Sequence, residues 1–503
     1  MRTSFLVLAG IFFAPAAGLS YTMLDTPQRL LYVDIYSRGD LVNFKNVIDL
    51  DSSNSDDTTT YIGIDYSLGF GAELKDAQTK FFLKLERNGP YDDDAPLFVH
   101  NTLVTSGGEV QRYRNEQLLP QVEEFWLDIP LAGSLRLKPG LYTYDVGNGF
   151  SLNGSYENYG FSVYQRWGNL LWRVYYCRPD LVYKNHLGPR IPQEEDQGIV
   201  YHPNAANFFA ADVKLVQDKR ELQPYVGVLA DYTSPEKRDT LFSAPIKKDL
   251  LGTAGLFWKE KAGRVTFNTE VAHNFGKGES LDAEFKDVYH TGYLFYHKLE
   301  YCMEKIIPYL QFLACSGNKV SLDAAMNQDT TLVSGKNRAF SSSSALNQNV
   351  SASISSFNSD ARPMVAMGSG NGLNYGVPRP RTYAVTEFDN LLIPSAGLEI
   401  NLTDKLCLEL DSYYLRSFTK AAGTLNGEPI RLPAELGYEV DAMVDYRFNK
   451  NVLISFLGGY FIPGHYYTTV RDDTAGSLLS PFVRGDGKAD CAYQVELSME
   501  LTF

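Results

Sequence analysis

Carboxylates two residues apart recur along this chain. Glu409 and Asp411 form one pair, Glu439 and Asp441 another. Cations repeat at the same interval in Arg136 and Lys138, and opposite charges do so in Asp445 and Arg447. Paired carboxylates can do general acid–base work. The spacing also has a plainer chemistry. On an extended strand such residues share one face, and charges on the inner face of a pore set ion selectivity.

Other catalytic signals are weak. His290 and His297 are seven apart, which is no metal-ligand spacing on a strand. Gly147-Asn-Gly149 and the Gly368–Gly372 cluster lack the following Lys and helix of a phosphate loop. No Gly-x-Ser-x-Gly and no prominent Ser/His/Asp set is present. The five cysteines are scattered without metal spacing, and an odd number cannot pair completely. The expectation is no cofactor, no metal and no enzymatic activity.

The elements around these charges read as strands. In Glu124-Phe-Trp-Leu-Asp128, Phe125 and Leu127 alternate with the acids. In Ser134–Lys138, Leu135 and Leu137 alternate with Arg136 and Lys138. Such alternation gives one apolar and one polar face. Eighteen segments of this kind are expected, from Arg29–Arg38 to Cys491–Phe503, and they include Ser134–Tyr144 and His290–Leu299. Aromatic residues reach 13%, with 33 Tyr and 29 Phe, a composition that suits strands and interfacial girdles.

Connections alternate between short and long. Leu131–Gly133, Gly168-Asn169 and Asn449–Asn451 are short, whereas Leu41–Thr59, Asn88–Gln121, Arg178–Asn207 and Ser316–Leu392 are long. Transmembrane β-barrels have short periplasmic turns and long external loops. The pattern therefore predicts an all-β, antiparallel, up-and-down transmembrane barrel of about 18 strands. The Ser316–Leu392 segment, rich in Ser, Asn and Gly, is expected to be either an external loop or a constriction folded into the pore.

The ends agree. Arg2, the apolar stretch Phe5–Phe13 and Ala14-Pro15-Ala16 read as a signal peptide over residues 1–17, leaving 18–503 as one barrel domain. Beyond it, no run approaches the roughly 18 apolar residues of a membrane helix. In the last strand Tyr493, Val495, Leu497, Met499, Leu501 and Phe503 alternate with polar residues. That ending resembles the terminal strand read by the barrel-insertion machinery, with Leu501 and Phe503 as the insertion signal. A net charge of −14 excludes nucleic acid as a partner, because phosphate contacts need clustered Lys and Arg.

Charged groups are costly on the lipid face, so the polar faces belong to the lumen. The expected pore-lining set is Glu124, Asp128, Arg136, Lys138, Arg173, Glu270, Glu409, Asp411, Glu439, Asp441 and Arg447. Arg38, Asp212 and Glu496 fall on the same face. Tyr142, Tyr144 and Tyr175 are candidates to stack on sugar rings.

Several segments carry a likeness in their order and spacing. They are Glu124–Asp128 with Leu135–Gly149, Glu270–Gly276, Tyr309–Ala314 before Ser316-Gly-Asn318, Leu436–Asp441 and Gly459–Gly464. Together they resemble the alginate-export family of outer-membrane porins. That resemblance implies an eighteen-stranded barrel exporting a polyuronate, with periplasmic export partners. Leu141-Tyr142 stands where the family has Arg-Gln, and Asn318 where it has Asp. The expected function is thus a channel in the outer membrane of a Gram-negative bacterium, passing hydrophilic solutes, oligosaccharide or polysaccharide. The rivals are an adhesive or structural barrel and, more remotely, a barrel hydrolase.

Overall fold

The computed structural model describes residues 21–45, 59–87, 102–104, 110–112, 121–142, 144–154, 159–178, 206–232, 246–280, 286–317, 335–338, 340, 390–420, 422–425, 428–431, 433–466 and 490–502. Eighteen strands form its wall. They are β1 (Arg29–Lys45), β2 (Thr59–Leu74), β3 (Thr79–Arg87), β4 (Gln121–Ala132), β5 (Leu135–Leu141) and β6 (Tyr159–Trp167). Next come β7 (Leu170–Cys177), β8 (Ala206–Gln217), β9 (Arg220–Asp231), β10 (Ile246–Ala262), β11 (Val265–Ser280) and β12 (Tyr293–Tyr301). The last are β13 (Ile306–Cys315), β14 (Leu391–Thr403), β15 (Leu406–Ser417), β16 (Glu435–Asn449), β17 (Val452–Pro463) and β18 (Ala492–Thr502).

Each strand pairs antiparallel with the next, and β18 returns to β1 from Tyr36↔Thr502 to Lys45↔Tyr493. Closure leaves the wall no free edge, so its backbone donors and acceptors are satisfied within the sheet, as a lipid environment requires. The eighteen predicted segments correspond one to one with these strands. Two differences matter. β5 ends at Leu141, before the expected Tyr144. His290 lies in a separate short strand, Val288–His290, ahead of β12.

The side chains sort by alternation. On β11, Glu270 and Asn274 are fully buried on the inner face, while Val271 and Phe275 are exposed on the outer face. On β18, Gln494 and Glu496 are buried, as the sequence pattern required. The outer surface carries Leu31, Ile35, Val174, Phe209, Leu310 and Phe456. Toward the short turns it bears Trp167, Trp258, Tyr446 and Phe448, and toward the long connections Tyr159, Tyr232, Tyr438 and Tyr460. An apolar band between two aromatic girdles is the surface of a barrel in lipid. A strand at Tyr21–Asp25 extends the wall beside β1, where β18 ends, and Lys75 Nζ fixes Asp25 at 2.5 Å. No disulfide joins any of the five cysteines.

Candidate functional site: a lumen segment between two charged walls

The chain leaves the wall after β5 and turns inward. Gly140 makes the bend, with φ of 146°, beside Trp126 and Gly160 on the flanking strands. Its backbone approaches the Phe125 carbonyl so closely that a Cβ would collide with it. Only glycine combines that approach with that dihedral.

Residues 142 and 144–154 then run along the inside of the barrel. Tyr142 donates its hydroxyl to Ser162 Oγ on β6 at 2.8 Å, and Tyr144 to Asp212 on β8 at 2.5 Å. The Gly147 amide donates to Gln223 Oε1 on β9 at 3.2 Å. The Asn148 amide donates to Glu270 Oε2 on β11 at 2.8 Å, and the Asn148 side chain exchanges hydrogen bonds with Asn268. Ser151 Oγ donates to Glu270 Oε1 at 2.6 Å, and the Tyr225 hydroxyl, in contact with Ser151 Oγ, donates to the same oxygen at 2.9 Å. Phe150 packs on Tyr296 of β12, centroids 4.8 Å apart. The segment thus spans the inner faces of β6 to β12.

Glu270 is the pin. It is fully buried and accepts three donors, two of them from the segment. A buried carboxylate is tolerated only when so satisfied. Gly147, at φ of 60°, lets the turn lie on the carboxylate; a Cβ there would come within 2.9 Å of Glu270 Oε2.

Aromatic rings fill the space under the segment. Tyr144 stacks on Tyr175 at 4.6 Å with the planes 6° apart, and Tyr142 meets Tyr175 edge-on at 5.8 Å. All three are buried, at 4% exposure or less. The expectation that they stack on sugar rings is therefore corrected. Their faces are occupied by one another and by the cations beside them.

The predicted pore residues fall into groups. Glu124, Asp128, Arg136, Lys138 and Arg173 come together on β4, β5 and β7. There Arg136 Nε donates to Asp128 at 2.7 Å, and Arg173 Nε to Asp212 at 2.9 Å. Lys138 Nζ lies 4.1 Å from the Trp126 ring centroid and 4.2 Å from that of Tyr142. Glu409, Asp411, Glu439 and Asp441 come together on β15 and β16, where Asp411 and Asp441 are register partners. The Tyr309 hydroxyl lies 2.7 Å from Glu409 and 2.6 Å from Asp411, which share its one proton. Glu270 lies apart from both groups, beneath the segment. Arg447 sits near the short-turn rim, where its amide bonds the Lys405 carbonyl. Leu501 pairs with Val452 and Ser37, and Phe503 lies outside the described residues.

A further cluster closes the barrel seam. Arg38 on β1 donates to Asp40 at 2.7 Å and to Glu496 on β18 at 2.9 Å, all three at 5% exposure or less. Asp40 lay beyond the end predicted for its strand. Gln223, Tyr225, Asn148 and Ser151 were also missed. The available signal was Gly140 followed by Gly147-Asn-Gly149, glycines that interrupt an aromatic run. The Ser316–Leu392 segment, expected as a loop or constriction, lies largely outside the described residues. Among those described, no group of three His, Cys, Asp or Glu is arranged to hold a metal.

The closed barrel, its girdled apolar band and its polar interior define a transmembrane β-barrel of the outer-membrane type. No family model matches the sequence and no curated protein does. Among solved structures the chain is similar to OpdK from Pseudomonas aeruginosa with vanillate, at 10% identity and a TM-score of 0.47, over 94% of this chain and 98% of that one. It is also similar to a BenF-like porin from Pseudomonas fluorescens Pf-5, at 8% and 0.45, over 94% and 99%. OccAB3 of Acinetobacter baumannii gives 7% and 0.47, again over 94% and 99%. Similarity at this level assigns no solute and no residue role here.

Proposed function

We propose that this chain is a passive channel for small hydrophilic solutes, narrowed by the segment that follows β5. The observation that carries the reading is the pinning of that segment on Glu270 inside the barrel. Eighteen strands enclose more than side chains alone can fill, and barrels of 16–18 strands leave an aqueous passage. A segment held against one side of the lumen narrows that passage without plugging it.

The two lumen walls differ in charge. The inner face of β3–β8 mixes Lys80, Lys84, Arg136, Lys138, Arg166, Arg173 and Lys214 with four acids among its described residues. The inner face of β14–β18 carries Glu399, Glu409, Asp411, Glu439, Asp441, Asp445, Glu496 and Glu500, with Arg447 the only cation among its described residues. Such a field orients dipolar and charged solutes across the lumen. The polyuronate reading rests on the sequence resemblance alone, and the acidic wall opposes a polyanion.

The test is single-channel conductance in a planar bilayer, with reversal potential under a salt gradient and added polyuronate. The reading expects a stable, cation-preferring conductance without polyuronate block. Anion selectivity with block would support polyuronate export. Absence of conductance from a folded barrel would return the adhesive or hydrolytic rivals.

A further inference from the structure

At the long-connection end of the wall, lysines gather on the outside of the barrel. Lys248 on β10 and Lys277 on β11 share the outward face with Ala254, Val271 and Phe275. The register runs laterally from Leu250 to Lys277, then Tyr289, then Lys336 of the short strand Lys336–Asn337. Tyr289 is half exposed between the buried Val288 and His290, so it points outward. Lys336 is exposed beside it.

The lysines stand on the aromatic girdle. Lys248 Nζ lies 4.9 Å from the Tyr232 ring centroid, and Lys277 Nζ lies 6.0 Å from that of Tyr289. Two carboxylates face them. Asp287 accepts from Lys277 at 2.7 Å, and Glu279 is the register partner of Lys248. Lys286, also exposed, brings the described residues of the patch to four cations against two acids. Behind it, buried on the inner side, His290 Nε2 and Asp249 Oδ1 lie 2.8 Å apart and tie the Val288–His290 strand to β10. The patch is therefore mounted on a braced part of the wall.

We propose that Lys248, Lys277 and Lys336 bind the phosphate groups of a glycolipid headgroup in the outer leaflet. Aromatic girdles sit at headgroup level, so cations just above one meet the phosphates of the lipids alongside. Long connections mark the external side, whose leaflet presents phosphorylated glycolipid. Lysine binds phosphate as a point charge, and each lysine near an anionic surface contributes about fivefold in affinity. The inference depends on the barrel's place in the membrane and not on conduction.

The test uses the full-length barrel in detergent micelles and native mass spectrometry. The probes are bisphosphorylated lipid A and the same lipid stripped of phosphate. Wild type should retain the phosphorylated lipid and release the stripped one. The triple variant K248A/K277A/K336A should lose retention by about two orders of magnitude, with unchanged heat-modifiable gel mobility and single-channel conductance. Lys248→Arg should retain binding, which separates charge loss from misfolding. Equal retention by the triple variant, or equal retention of the stripped lipid, would overturn the proposal. Displacement by equimolar inorganic phosphate would also overturn it, because the site would then read a free anion rather than a lipid.

Discussion

The two sides of the lumen neutralise charge differently. On the β3–β8 side, Asp128 meets Arg136, Asp212 meets Arg173 and Glu86 meets Lys84. Lys138 is held between two aromatic faces. On the β14–β18 side, Glu409 and Asp411 share the hydroxyl of Tyr309, and Asp445 accepts from Ser455 at 2.6 Å. Glu496 takes its guanidinium from β1. The first side thus mixes acids with cations in local ion pairs, and the second is acid-rich, with eight acids to one cation among its described residues. The comparison teaches that total charge says less about a lumen than what each charge touches.

The largest effect is expected at the seam. Arg38→Met leaves Asp40 and Glu496 buried without their cation, at a cost of about 3–5 kcal/mol. The midpoint of urea unfolding, followed by gel mobility, should fall accordingly; an unchanged midpoint would mean the trio is not buried as described. Glu270→Ala strands the Asn148 amide and the Ser151 hydroxyl, about 1–3 kcal/mol for each donor left unmet. It should free the segment and raise unitary conductance while the barrel stays folded. Glu439→Gln with Asp441→Asn should shift the reversal potential toward anion preference, by about fivefold in permeability ratio per charge. The same neutralisation on the paired side, Asp128→Asn, should shift it less, because it also unpairs Arg136. Lys138→Ala should have the smallest effect on stability, about 0.5–2 kcal/mol, read as a small change in unfolding midpoint.

Much of the wall was legible because period two is a strong code. Glu124, Asp128, Arg136 and Lys138 alternate with Phe125, Leu127, Leu135 and Leu137, and the lipid enforces that pattern. The alternation of short and long connections gave strand number and orientation. The lumen segment was harder. Tyr142 and Tyr144 continue the alternation of β5, so they extend the apparent strand to Tyr144. What ends it is the backbone at Gly140, whose positive φ has no periodic signature. Glu270 was placed on the correct face by alternation, but its role was not. Three donors meet on it from Asn148, Ser151 and Tyr225, and no local pattern encodes a contact across some 120 residues. An excess of acids on the lumen face was visible, whereas its division into a mixed side and an acid-rich side needed the register.

The most direct measurement of the central claim is the unitary conductance of wild type beside Glu270→Ala, in the same planar bilayer and salt, with folding of both checked by gel mobility. The account predicts a stable wild-type conductance and a larger one in the variant, as the segment after β5 leaves the lumen. Identical conductances from two folded barrels would contradict it, because the segment would then not define the narrowest part of the passage.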